Sequence, residues 1–116
     1  MMALKGKRIL LVEDEFLIAL MAAQMLEELG AVVIGPAYSN ARGLALIDKE
    51  KIDGALLDVN LNGERSDAIA SRLSERGVPY GFVSGYGAGG WPEGALGVEK
   101  PYRQEQLAEL FSRIFH

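Results

Sequence analysis

Residues 8–14 read Arg8-Ile9-Leu10-Leu11-Val12-Glu13-Asp14, and residues 53–58 read Asp53-Gly54-Ala55-Leu56-Leu57-Asp58. Each is an apolar run that stops on carboxylates. An aliphatic run without polar alternation reads as a strand buried on both faces, as in a parallel sheet. Acids placed where such strands stop share the carboxyl edge of the sheet, which is where open α/β folds bind ligands. Glu13, Asp14 and Asp58 gathered at one edge repel one another unless a cation sits among them. The two runs therefore predict an α/β domain with metal-assisted chemistry on one aspartate.

Working outward, the chain alternates strand and helix. A helix is expected from about Glu15 to Leu29, with Ile18, Met21, Met25 and Leu29 spaced by three and four and Gly30 as the stop. The methionines read as core filler. Ala31-Val32-Val33-Ile34 forms a second strand, ended by Gly35-Pro36. Ser39 or Asn40 caps a second helix to about Glu50, with Leu44 and Ile47 inward. After the third strand, Asn62-Gly63 is a turn and Leu61 covers the edge of the site. Ser66 or Asp67 then caps a third helix through Leu73. Tyr80 to Val83 is the fourth strand, Ala95 to Val98 a short fifth, and a last helix from Arg103 turns Leu107, Leu110, Phe111 and Ile114 inward. Alternation of this kind implies right-handed βαβ units and a parallel sheet covered on both faces. Between Gly85 and Gly97 six of thirteen residues are glycine, with Trp91-Pro92 in the middle. Each interior glycine costs a helix about 1 kcal/mol, so a loop or one irregular turn is expected there in place of a full fourth helix.

Bulk properties narrow the function. The chain has 116 residues, enough for one core, and reads as a single domain over 1–116 with no room for an output domain. A net charge of -4 leaves no footprint for nucleic acid. There is no cysteine and only one histidine, His116, so neither a thiolate site nor a serine-type triad can be built. Hard-metal ligation by oxygen is what remains. No stretch is long enough for a membrane span, and the first residues run into a strand without the plan of a signal peptide, so a cytoplasmic protein is expected.

Four features line up on strand ends: Glu13-Asp14, Asp58, Ser84 and Lys100-Pro101. Singly each has a plain reading as an N-cap, a turn or a loop. Together, in this order, they resemble the receiver domain of two-component response regulators (CheY-like), over essentially the whole chain. The resemblance implies a flavodoxin-like (βα)5 sandwich with sheet order 2-1-3-4-5. It implies that Asp58 is the phosphoacceptor, taking a phosphoryl group from a histidine kinase or histidine phosphotransfer protein. Glu13 and Asp14 would hold Mg2+ with Asp58 and the backbone carbonyl of Asn60. Lys100 and Ser84 would contact the phosphoryl oxygens. A cis bond before Pro101 is expected, and signalling would proceed through binding to a downstream protein.

The chain also departs from that family. Most receivers carry Tyr or Phe three residues before the lysine, and here that position is Gly97. Phe82-Val83-Ser84-Gly85-Tyr86 instead resembles a subgroup with a Phe-Ala-Thr-Gly-like string, often single-domain or in general-stress circuits. Tyr86 stands where access of water to the acyl phosphate is tuned. Trp91 reads either as a loop anchor or as a partner contact. A constitutive interaction module, free of phosphorylation, is the alternative that the missing aromatic keeps open. A phosphohydrolase is disfavoured because Asn60 replaces the second acid such enzymes often carry two residues on. A flavodoxin-like cofactor binder lacks its Ser/Thr-rich loop after the first strand.

Overall fold

The computed structural model describes residues 3–85 and 90–115. Its strands are β1 (Arg8–Val12), β2 (Val32–Ala37), β3 (Gly54–Asp58), β4 (Asn60–Leu61), β5 (Glu64–Arg65), β6 (Tyr80–Ser84) and β7 (Gly97–Glu99). Its helices are α1 (Phe16–Glu28), α2 (Asn40–Lys49), α3 (Asp67–Glu75) and α4 (Gln104–Ile114). The main sheet is parallel, in the order β2-β1-β3-β6-β7. This is the predicted flavodoxin-like order, since β6 and β7 are the fourth and fifth strands of the sequence reading. The small β4–β5 hairpin intervenes, turning on Asn62 (φ 52) and Gly63 (φ 88). Among the described residues no helix lies between β6 and β7.

The buried strands deal alternate side chains to two apolar layers. Leu10, Val12, Leu57 and Phe82 meet Ile47 of α2 and Ile69 and Leu73 of α3 on one face. Ile9, Leu11, Leu56 and Val83 meet Leu26 of α1 and Leu107 and Phe111 of α4 on the other. This two-sided demand is why β1 carries no polar residue after Arg8 and β3 none before Asp58. Ser39 caps α2 by accepting from the Arg42 N–H at 3.2 Å. At the start of α4 the Gln106 side-chain Oε1 accepts from the Arg103 N–H at 2.7 Å, and the Arg103 carbonyl accepts from the Gln106 N–H at 3.0 Å. Ser66 precedes α3 without a side-chain cap, its hydroxyl donating to the Val59 carbonyl at 3.4 Å.

Three expectations are corrected. The buried face of α1 is Ala19, Ala22 and Leu26, whereas Met21 is 57 % exposed and Ile18 and Met25 only half-buried. From Phe16 to Ala23 the helix is apolar all round, so a period of 3.6 fits more than one face. Two alanines win the inner face because small side chains let the helix lie close to the sheet. Phe16, Leu17 (72 % exposed), Leu20 and Met21 are left outward as an apolar surface. Leu61 is buried in the layer beneath α2 and α3. Finally, β2 runs through Gly35-Pro36 to Ala37, past its expected end at Ile34, with a register shift opposite Leu10–Val12.

Gly35 makes that continuation possible. It has φ +107, and a Cβ there would lie 2.9 Å from the Leu11 carbonyl oxygen and 2.7 Å from the Ala37 nitrogen, both rigid backbone atoms. Gly35→Ala is expected to destabilise the fold by about 1–3 kcal/mol, read as a lower urea midpoint at unchanged slope. An unchanged midpoint would contradict this account of β2.

Candidate functional site

The site is assembled by strand ends. β1 pairs with β3 so that Val12 faces Leu57, which brings Glu13 and Asp58 out of the sheet side by side. β6 pairs with β3 and β7 with β6, with Ser84 opposite Glu99, and this carries Lys100 to the same edge. Glu13 is 2 % exposed, Asp58 5 % and Ser84 6 %.

Lys100 holds the centre. Its Nζ lies 2.8 Å from Asp58 Oδ2, 2.9 Å from Glu13 Oε1 and 3.2 Å from Glu15 Oε1. The other oxygens are tied to backbone. Asp58 Oδ1 accepts from the Asn60 N–H at 3.0 Å, and Glu13 Oε2 accepts from the Glu15 N–H at 3.1 Å. Asp14 Oδ2 accepts from the Asn62 N–H at 2.8 Å, so the hairpin turn is fastened to the acids. Asn60 Oδ1 in turn accepts from the Gly63 N–H at 2.9 Å. The Lys100–Pro101 peptide is cis, as expected.

Thus Glu13, Asp14, Asp58 and Lys100 are brought together and Asn60 follows at the mouth. Ser84 stands at the end of β6 with its hydroxyl donating to the Gly85 carbonyl at 3.3 Å. Glu15 was missed by the sequence reading, which treated it only as the start of α1. The signal was present as a third consecutive acid, Glu13-Asp14-Glu15. Tyr86 lies outside the described residues.

Electrostatics follow from burial. Burial pushes the Glu13 carboxyl up to about 7, against the hydrogen bond from Lys100, which pulls it down. For Lys100 burial acts to lower the ammonium pKa, but hydrogen bonds to Asp58 and Glu13 outweigh it and hold it above the ordinary lysine range. The neighbouring Tyr102 phenol is pushed up to about 12, by burial first and the charge of Glu13 second. Carboxylate oxygens of Glu13, Asp14, Glu15 and Asp58 all lie within 4.8 Å of one another. One lysine faces four acids, all hard oxygen donors, and such a set fits Mg2+.

Comparison with known proteins follows this geometry. No family model matches the chain. The solution structure of SdrG from Sphingomonas melonis Fr1 superposes with a TM-score of 0.84 at 33 % identity, over 100 % of both chains. A response regulator receiver domain protein (CheY-like) from Methanospirillum hungatei superposes with a TM-score of 0.78 at 26 % identity, covering 94 % of this chain and 93 % of that one. The chain belongs to the response-regulator receiver domains. The receiver is also 31 % identical over 112 residues to the phyllosphere-induced regulator PhyR of Methylorubrum extorquens, covering 90 % of this chain and 42 % of that protein. It spans less than half the length of the curated relatives it matches. As a receiver it is a signalling element, not an enzyme. None of its described helices is long and apolar enough to cross a membrane.

The raised Glu13 pKa has a direction. The folded receiver binds that proton more tightly than the unfolded chain, so the group's stabilising contribution is complete below about 4.5 and is lost as pH rises through about 7. Without divalent metal, the stability advantage of the wild type over Glu13→Gln, measured by urea unfolding, should shrink across that window. A constant difference would contradict the burial of this carboxyl.

Proposed function

We propose that the receiver accepts a phosphoryl group on Asp58 and signals by changing which protein it binds. The observation that carries this reading is the contact of the Lys100 ammonium with a buried Asp58 among further acids. The phosphodonor would be a histidine kinase or histidine phosphotransfer protein. An oxygen of Asp58 forms a bond to phosphorus as the P–N bond to the donor imidazole breaks, leaving neutral imidazole and an acyl phosphate. Glu13, Asp14 and Asp58, with the backbone carbonyl of Asn60, would hold Mg2+, which when bound offsets charge on the acids and the phosphoryl group. Lys100 already contacts Asp58 Oδ2 at 2.8 Å and gives a point charge for the phosphoryl oxygens. Ser84 reaches the same group by turning its hydroxyl from Gly85. The string Phe82-Val83-Ser84-Gly85 supports placement in the Phe-Ala-Thr-Gly-like subgroup.

The outward apolar face of α1 gives a protein donor a place to dock. Beside it, Ile18, Met21, Met25, Pro101 and Tyr102 line a groove of about 340 Å³ that opens next to Lys100. Phe16 extends the face toward Tyr38, with ring centroids 6.2 Å apart.

Incubation with Mg2+ and acetyl phosphate should add one phosphoryl mass, absent in Asp58→Asn. Lys100→Ala should slow the labelling roughly tenfold or more. Leu17→Glu with Met21→Glu should keep labelling by acetyl phosphate and lose transfer from a phosphohistidine protein. No adduct on the wild type would favour the constitutive interaction module, and equal loss with both donors would remove α1 from the account.

A further inference from the structure

Trp91 and Gly97 form one device. Gly97 lies in β7 opposite Phe82, and a Cβ built on it would stand 2.7 and 2.8 Å from Cε3 and Cδ2 of Trp91. The indole therefore lies directly on the glycine backbone, in space that any side chain at 97 would take. It packs on the apolar layer that contains Val59, Leu61 and Phe82.

The preceding residue reaches the site. Gly90 has φ +91, and the position of its absent Cβ is 3.9 Å from Ser84 Oγ and 3.9 Å from Val59 Cγ1. Its carbonyl accepts from Arg65 Nη2 at 3.1 Å, and Arg65 is held by Asp67 at 3.0 Å. Val59 directly follows Asp58, and Ser84 directly follows Val83, the partner of Asp58 in the sheet. The Gly90 peptide thus borders the site beside Ser84, with Arg65 fixing its carbonyl and the seated indole fixing the chain behind it.

We propose that Trp91 is a positioning residue: seated on Gly97, it holds the Gly90 peptide against Ser84 and Val59 and thereby lengthens the life of the phosphoryl group on Asp58. The proposal rests on the phosphoacceptor reading above. In the loss reaction a water oxygen forms a bond to phosphorus as the P–O bond to Asp58 breaks. Carboxylate and inorganic phosphate are released, and the proton from water passes to the bulk. A fixed peptide beside Ser84 restricts the approach of that water. Glycine at 97 is a requirement of this arrangement, because a Cβ there would meet the indole and would also lie 2.9 Å from the Phe82 carbonyl oxygen.

The test separates the proposal from the reading beneath it. Wild type, Trp91→Ala, Trp91→Phe and Gly97→Ala are labelled with acetyl phosphate and Mg2+, the donor is removed, and decay of the adduct is followed by intact mass. Trp91→Ala and Gly97→Ala should lose the adduct at least about threefold faster than wild type, a difference of about 0.7 kcal/mol, with Trp91→Phe between them. Gly97→Ala should also shift the emission of Trp91, the sole tryptophan. If Trp91→Ala or Gly97→Ala does not fold, Trp91→Phe decides. Equal decay in the folded variants would overturn the proposal while leaving Asp58 as acceptor, and no adduct on wild type would overturn both.

Discussion

The Lys100 ammonium is the one contact on which the arrangement of the site depends. It closes the carboxyl edge by joining the end of β7 to the ends of β1 and β3, through Glu13 and Asp58. Two buried carboxylates about 4 Å apart repel by about 4 kcal/mol at an effective dielectric of 20. A single ammonium between them turns that repulsion into two attractions and also fixes where each oxygen points. It does not neutralise the set, since Asp14 and Glu15 stand beside the pair. Burial holds the Glu13 proton to about 7 against the hydrogen bond from Lys100, and the deficit of positive charge, through Asp58, acts the same way. In the proposed function the same deficit is what a bound Mg2+ would offset.

The remaining oxygens are bound by backbone N–H groups of Glu15, Asn60 and Asn62. Each donor is two or three residues past a strand end or inside the hairpin turn, so the sheet register positions both acids and donors. Changes at the acids therefore pull on two loops at once. One of them, through Arg65, reaches Gly90 and the indole of Trp91.

Much of this was legible in sequence because it follows from continuous runs. β1 and β3 are buried on both faces and end on charge, which a linear reading detects without knowing the neighbours. Sheet order and the meeting of Glu13, Asp14, Asp58 and Lys100 were implied by the resemblance to receiver domains, which those strand-end residues carry. What was missed depends on complementarity between distant residues. The inner face of α1 was misread because apolar residues surround the helix, and only its fit to the sheet selects Ala19 and Ala22 over Met21. Gly35 reads as a strand stop until the Leu11 carbonyl is seen packed against it. Trp91 could be read as anchor or contact; its seat is a glycine six residues on, and an absent side chain carries no periodic signal. Glu15 was hidden by its second role at the start of α1.

The central claim is that these carboxylates form one cation-binding cluster tied to the backbone at Glu15, Asn60 and Asn62. The most direct measurement is a titration of 15N-labelled protein with Mg2+, followed by amide shifts. The account predicts saturable changes that begin at those three amides and at Gly63, and that vanish in Asp14→Asn with Asp58→Asn. Amides that stay in place at millimolar Mg2+, or shifts that survive the double substitution, would contradict it.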